Sequence, residues 1–155
     1  MIGQSWTDKV ESACLGRGLQ LTALRRDVCT ILAAAEQPLG AYAIIEKLAA
    51  AQNRNVAPPT VYRTLDFLVE NGFVVKIESR QAYVACDHLE HHHARHGLVF
   101  SCSRCGRANE VDSVAVEHAI DAIADTLSFK VERKVVEVEG VCADCRGKAV
   151  GTTSN

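Results

Sequence analysis

Apolar residues recur every three or four positions through residues 6–68 and then alternate with polar ones, so the chain opens helical and turns to strands. A first helix is expected from Ser5 to Leu15, with Thr7 as its cap and Trp6, Val10 and Cys14 on one stripe. A second begins after Thr22, places Leu24, Val28, Ile31 and Leu32 together, and ends near Glu36-Gln37-Pro38. Ile44, Ile45 and Leu48 share one face of a third, Ala41 to Ala51. Pro58-Pro59-Thr60 opens a fourth, since proline is tolerated in a first turn, and Asn71-Gly72 closes it. At about 100° per residue, Val61, Leu65 and Leu68 fall on its inner face, while Arg63 points away, flanked by Tyr62 and Asp66.

Beyond Gly72 the period changes to two. Phe73–Glu78 and Gln81–Cys86 read as strands joined by Ser79-Arg80. Helix, reader helix, then hairpin is the order of a winged helix-turn-helix, in which the early residues of the reader lie nearest base edges. The plainer alternative is a small α+β domain whose Arg63 is merely solvated. Further on, Leu98–Ser101 and Asn109–Val111 are expected strands, Ser113 caps a helix running through Leu127, and Phe129–Val141 alternates as one long strand. Val131, Val135 or Val136, Val138 and Val141 give that strand an edge for pairing across a two-fold axis. The fold class is therefore α+β, with an N-terminal winged helix-turn-helix domain over residues 1–85 and a small C-terminal α/β dimerisation domain over 98–155. Residues 86–97 form a hinge between them, and the tail after Cys145 is expected to be disordered.

Composition changes this picture little. The chain has 155 residues, 48% apolar and 23% charged, as a globular protein does, and no run is long enough to cross a bilayer. No apolar leader opens it, so a reducing cytoplasmic location is expected. Residues 1–80 carry nine Lys and Arg against eight Asp and Glu; residues 81–155 carry eight against eleven. Nothing in that balance advertises nucleic acid, so DNA binding would need a local basic face doubled by dimerisation.

The cysteines change it more. Cys102-Ser103-Arg104-Cys105 and Cys142-Ala143-Asp144-Cys145 supply four thiolates, the full ligand set of a tetrahedral structural zinc site. Two disulfides or a redox dithiol are the bland readings; a reducing compartment opposes the first, and a redox pair normally comes singly. A metal brace also suits a half-chain too short to build a large core. Residues 86–96 then place one thiol, two carboxylates and five imidazoles within eleven positions. Such N and S donors favour Zn²⁺ over Mg²⁺ or Ca²⁺. A second site at this junction, drawing ligands from both halves, would form only in one domain orientation, as a metal sensor requires. The bland reading is a solvated loop. Cys14 and Cys29, beside apolar residues, read as small core residues.

With these features in this order, the chain resembles the ferric uptake regulator family, and most closely its zinc uptake regulator branch, over nearly its whole length. Pro58 to Leu68, Lys76-Ile77-Glu78-Ser79 with Tyr83-Val84-Ala85-Cys86, and Cys102-Ser103-Arg104-Cys105-Gly106 carry the match. The resemblance implies a zinc-responsive repressor, a homodimer that binds palindromic AT-rich operator DNA when loaded with zinc, with two Zn²⁺ sites per chain. It assigns Tyr62 and Arg63, with Thr60 and with Tyr42 from the preceding helix, to DNA; Arg63 can contact guanine O6 and N7 bidentately. It assigns Cys102, Cys105, Cys142 and Cys145 to structural zinc, and Cys86, one histidine of the cluster and Glu110 to regulatory zinc. Val75 stands where close relatives place a further histidine ligand. His93 and His96 are favoured within the cluster, with His88 or His91 as the replacement for the ligand lost at Val75. Another family site pairs a helix glutamate with a later histidine. Glu117 fits the first but Lys134 occupies the second, so that site is expected to be absent or rebuilt. His118, beside Ala119 and Ile120, reads as a helix-surface residue.

The same residues admit competing functions. An iron or peroxide regulator of the family is the nearest alternative, and a zinc buffer that never binds DNA lies further off. His88-Leu89-Glu90 followed by Cys102 and Cys105 echoes the zinc deaminase signature. That echo lacks the proline and the separation the signature needs, and it would strand Cys142 and Cys145. No nucleophilic triad or phosphate-cradling loop is present, so no enzyme and no small-molecule substrate are expected.

Overall fold

The computed structural model describes residues 5–53, 55–86, 89 and 98–147. Four helices come first: α1 (Trp6–Gly16), α2 (Ala23–Ala33), α3 (Ala41–Gln52) and α4 (Pro58–Glu70). Ser5, not Thr7, caps α1: its hydroxyl accepts from the Asp8 amide and the Asp8 carboxylate answers from the Ser5 amide. A Ser followed three residues later by an acid closes two orphan amides at once, which a lone Thr within the first turn cannot do. Thr22 caps α2 more simply, its hydroxyl accepting from the Arg25 amide. Pro58 occupies the first turn of α4, where its missing N–H costs nothing.

Val10, Val28, Ile44, Leu48, Val61, Leu65, Leu68 and Phe73 are fully buried where these helices meet, and Arg63 faces solvent. A three-stranded antiparallel sheet closes the bundle, in the order β1 (Leu39–Gly40), β3 (Ala82–Ala85), β2 (Val74–Ile77). The turn between β2 and β3 is a 3₁₀ turn, Glu78–Arg80, finished by Gln81 in the left-handed region at φ 48°. This is the wing.

The second sheet runs β5 (Ala108–Val111), β4 (Leu98–Cys102), β6 (Val136–Gly140). β4 and β5 form a hairpin, and β6 lies parallel to β4 after α5 (Val114–Thr126), which Ser113 caps. The expected long strand over Phe129–Val141 is corrected to Val136–Gly140. Ser128 at φ 51° turns the chain out of α5, and Arg133 and Lys134 are occupied by ion pairs to Glu78 and Asp121 before pairing with β4 begins at Val136. α6 (Ala143–Arg146) is followed by Gly147, the last described residue; of the tail expected to be disordered, Arg146 lies within α6, and residues 148–155 lie outside the described residues.

Apolar burial is uneven between the halves. Beyond residue 97 only Leu98, Val99, Cys102 and Ala124 are buried hydrophobics among the described residues. No described helix is long and apolar enough to cross a membrane.

A cysteine cage, an interdomain thiol and a candidate nucleic-acid face

Both Cys-x-x-Cys pairs sit where strands end. Cys102 closes β4 and is followed by a tight turn in which Gly106 takes φ 76°, its amide donating to the Cys102 carbonyl. Cys142 caps α6, and Cys145 lies within it. Parallel pairing of Cys102 with Gly140 brings the two loops together. The four sulfurs lie within 4.8 Å of one another, and Cys105 Sγ is 3.8 Å from Cys142 Sγ. A zinc tetrahedron with legs of about 2.3 Å has edges near ~3.8 Å, so the set fits that ion.

The surrounding polar groups support the cage. The Cys102 thiol is drawn down to about 6 by main-chain amides, chiefly those of Cys142 and Cys105, while the neighbouring sulfurs push Cys145 up to about 12. Crowded thiols share protons until a cation makes ionising all four favourable. Arg104 donates to the Cys145 carbonyl at 2.8 Å, and Arg107 pairs with Asp144 at 2.8 Å, so each knuckle is tied to the other. All four sulfurs belong to one closed set, which leaves no open coordination position and removes the deaminase-like arrangement of Cys102 and Cys105.

Cys86 lies one residue past β3, buried, and its thiol donates to Glu110 Oε2 at 2.9 Å. Glu110 comes from β5, so this bond crosses from one half of the molecule to the other. His88, His91, His93 and His96 lie outside the described residues. His118 is exposed on α5. Lys134, where the resemblance expects a histidine, places its ammonium 2.6 Å from Asp121 with the side chain 10% exposed. A fixed positive charge thus stands where that further metal site would lie. A cleft of about 590 Å³ separates the halves, with Asp66, Glu70 and Lys76 on one wall and Glu110, Arg133 and Glu137 on the other.

The wing turns into this junction. Glu137 of β6 accepts the amides of Glu78 at 2.5 Å and Ser79 at 3.1 Å. Arg133 pairs with Glu78, and Arg80 donates to the carbonyls of Cys102 at 3.3 Å and Gly106 at 3.4 Å. The wing's arginine is therefore spent on the cysteine knuckle. The residue pattern carries no trace of these contacts, because partners more than twenty residues apart share no local period. Tyr42 is 74% exposed at the start of α3, and Thr60, Tyr62 and Arg63 are exposed at the start of α4.

Comparison with known proteins accounts for the combination. Residues 16–139 match the model of the ferric uptake regulator family. The zinc uptake regulation protein of Escherichia coli strain K12 is 36% identical over 137 residues, 88% of this chain and 79% of that protein. A zinc uptake regulator crystallised with zinc and DNA superposes with a TM-score of 0.85 at 33% identity, covering 94% of this chain and 96% of that one. XcZur in its holo form, 40% identical, superposes at 0.84 over 94% of this chain and all of the other. Its apo form, equally identical, reaches only 0.52 over 92% and 96%. The halves are thus set as in the holo form of that relative. A matching family model over most of the length, together with relatives above one-third identity, shows that the chain belongs to the ferric uptake regulator family.

Proposed function

We propose that the protein is a zinc-responsive transcriptional repressor, a cytoplasmic homodimer that binds the palindromic AT-rich operators of zinc-uptake genes when zinc is bound. Residues 1–85 serve as the DNA reader, 86–97 as the metal-binding hinge and 98–155 as the dimerisation domain. Each chain takes two Zn²⁺ ions, one permanent in the Cys102, Cys105, Cys142 and Cys145 cage and one regulatory at Cys86 and Glu110 with histidines of the hinge. The observation that carries the reading is the 2.9 Å contact between Cys86 and Glu110, a thiol and a carboxylate contributed by opposite halves.

Zinc, when bound, supplies a shared positive centre for donors that would otherwise hold each other only by a thiol hydrogen bond. The residues do the rest. Cys86 anchors the end of the wing strand, Glu110 anchors the second sheet, and closing them together selects one orientation of the reader from those the hinge permits. In that orientation two copies of α4 present Tyr62 and Arg63 to successive major grooves, with Thr60 and Tyr42 positioned beside them. Arg63 in bidentate contact with guanine contributes about 1–3 kcal/mol of discrimination against a wrong base.

The test combines metal analysis with fluorescence anisotropy on an AT-rich palindromic duplex across a zinc-buffer series. Wild-type protein is expected to bind only in the zinc-replete range, with two zincs per chain there and one below it. Cys86→Ser retains one zinc and the dimer but loses zinc-dependent DNA binding, whereas Cys102→Ser loses the fold. Tight DNA binding unaffected by zinc removal, or equal unfolding of both variants, rejects the assignment.

A further inference from the structure

Helix α1 reaches the hinge with two side chains. Trp6 Nε1 donates to the Cys86 carbonyl at 2.7 Å, across 80 residues of sequence. Arg17, just past the other end of α1, donates to the Leu89 carbonyl at 3.0 Å and to the Asn71 carbonyl at 2.8 Å. Its guanidinium also lies 5.0 Å from the centre of the Phe73 ring. Phe73 in turn accepts the Cys86 amide at 3.0 Å. Both main-chain groups of Cys86 are therefore fixed, one by Phe73 and one by Trp6, at the point where β3 ends and ladder pairing stops.

Fixing those groups sets the Cα–Cβ direction, and with it the 2.9 Å approach of the thiol to Glu110. The support is itself rigid. Ser5 and Asp8 lock the first turn that carries Trp6, Val10 and Cys14 are buried in the core, and Glu11 pairs with Arg26 of α2. Arg17 adds a second function, since Asn71 caps the C-terminus of the reader helix α4. One guanidinium thus joins that helix end to the hinge.

We propose that α1 belongs to the sensing apparatus, with Trp6 and Arg17 as positioning residues that hold Cys86, and the chain just beyond it at Leu89, in place for Cys86 to take the regulatory metal. This rests on the reading of Cys86 as a regulatory ligand. A ligand fixed before binding need not be ordered by it, so the clamp raises affinity without touching the ion.

Chelator-competition titrations with zinc alone, on full-length protein that keeps its structural zinc, decide the matter. Trp6→Phe keeps the ring's packing and removes the N–H; Arg17→Gln removes the bridge. Each is expected to weaken the second zinc by roughly three- to ten-fold, the scale of one hydrogen bond. The melting temperature of the one-zinc form should stay close to wild type, a result that a merely structural role would not give. Trp6 is the chain's single tryptophan, so wild-type emission should change as the second zinc binds and stay constant in Cys86→Ser. If Cys86→Ser loses the second zinc while both α1 variants keep wild-type affinity, the clamp is wrong and the site stands. If Cys86→Ser binds two zincs, the site and the clamp fall together.

Discussion

Cys29 is fully buried on α2, and burial first, then the neighbouring Cys14, pushes its thiol from 9.0 up to about 12. Burial raises Cys14 too. Cys102 moves the other way, to about 6, because amides rather than hydrocarbon surround its sulfur. The three illustrate how environment, not residue type, sets thiol reactivity. In zinc-loaded native protein at pH 8, an alkylating reagent followed by mass spectrometry should leave Cys14 and Cys29 unmodified. Because burial raises this thiol, the folded state holds the Cys29 proton where the unfolded chain has released it. That stability is complete below pH 9 and is lost as pH climbs toward about 12, with a slope of at most ~1.4 kcal/mol per pH unit. Cys29→Ala, though less stable throughout, should fall less steeply above pH 9 in denaturant melts. Equal slopes would show that the thiol does not titrate differently in the fold.

At the scale of elements, the wing is a strap rather than a free arm. Burial pushes the Glu137 carboxyl up, but the hydrogen bonds from Ser79 and the Glu78 amide outweigh it and hold the group below its usual 4.5. Its contribution is present above that value and is lost as pH falls through the lowered one, so the strap weakens in acid. At neutral pH, Glu137→Ala should speed hydrogen exchange at the Glu78 and Ser79 amides by about ten-fold, the scale of one lost charge-assisted bond. Exchange no faster than wild type would mean the turn holds itself. Local rules made the wing's strands and α4 legible in sequence: Pro58, the inward trio Val61, Leu65 and Leu68, and the alternation after Gly72 each act over a few residues. The same rule overextended β6, since alternation from Phe129 cannot register that Arg133 and Lys134 leave the sheet for ion pairs. The cysteine cage was legible because four thiols at that spacing have few other uses. Glu137, Trp6 and Arg17 were not, because a hydrogen bond across 54 to 80 residues leaves no periodic trace.

At the scale of the whole molecule, the C-terminal half is incomplete alone. Ile123 is 60% exposed, Leu127 71% and Phe129 66%, at the end of α5 and the turn that follows, and Val138 on β6 is 38% exposed. Among its described residues that half holds few buried hydrophobics, so under the proposed function its stability comes from the zinc cage and from a second copy. Homodimers commonly meet through one patch applied to itself about a two-fold axis, which this apolar surface suits. In the proposed complex, dimerisation also supplies what the charge balance lacks, doubling the total phosphate contacts and spacing two α4 helices for half-sites about 34 Å apart. Phe129→Glu combined with Leu127→Glu places two pairs of charges in that patch. Burying an unpaired charge costs several kcal/mol, so the variant should sediment as a monomer at micromolar concentration. The Cys102 cage lies on strands outside this turn, so the monomer should retain one zinc on metal analysis. Operator affinity should fall by at least a hundred-fold, since a single reader on a chain without excess positive charge has little to hold it. A variant that still sediments as a dimer would move the interface elsewhere on the second sheet. A monomer that kept full operator affinity would remove the two-fold reader itself.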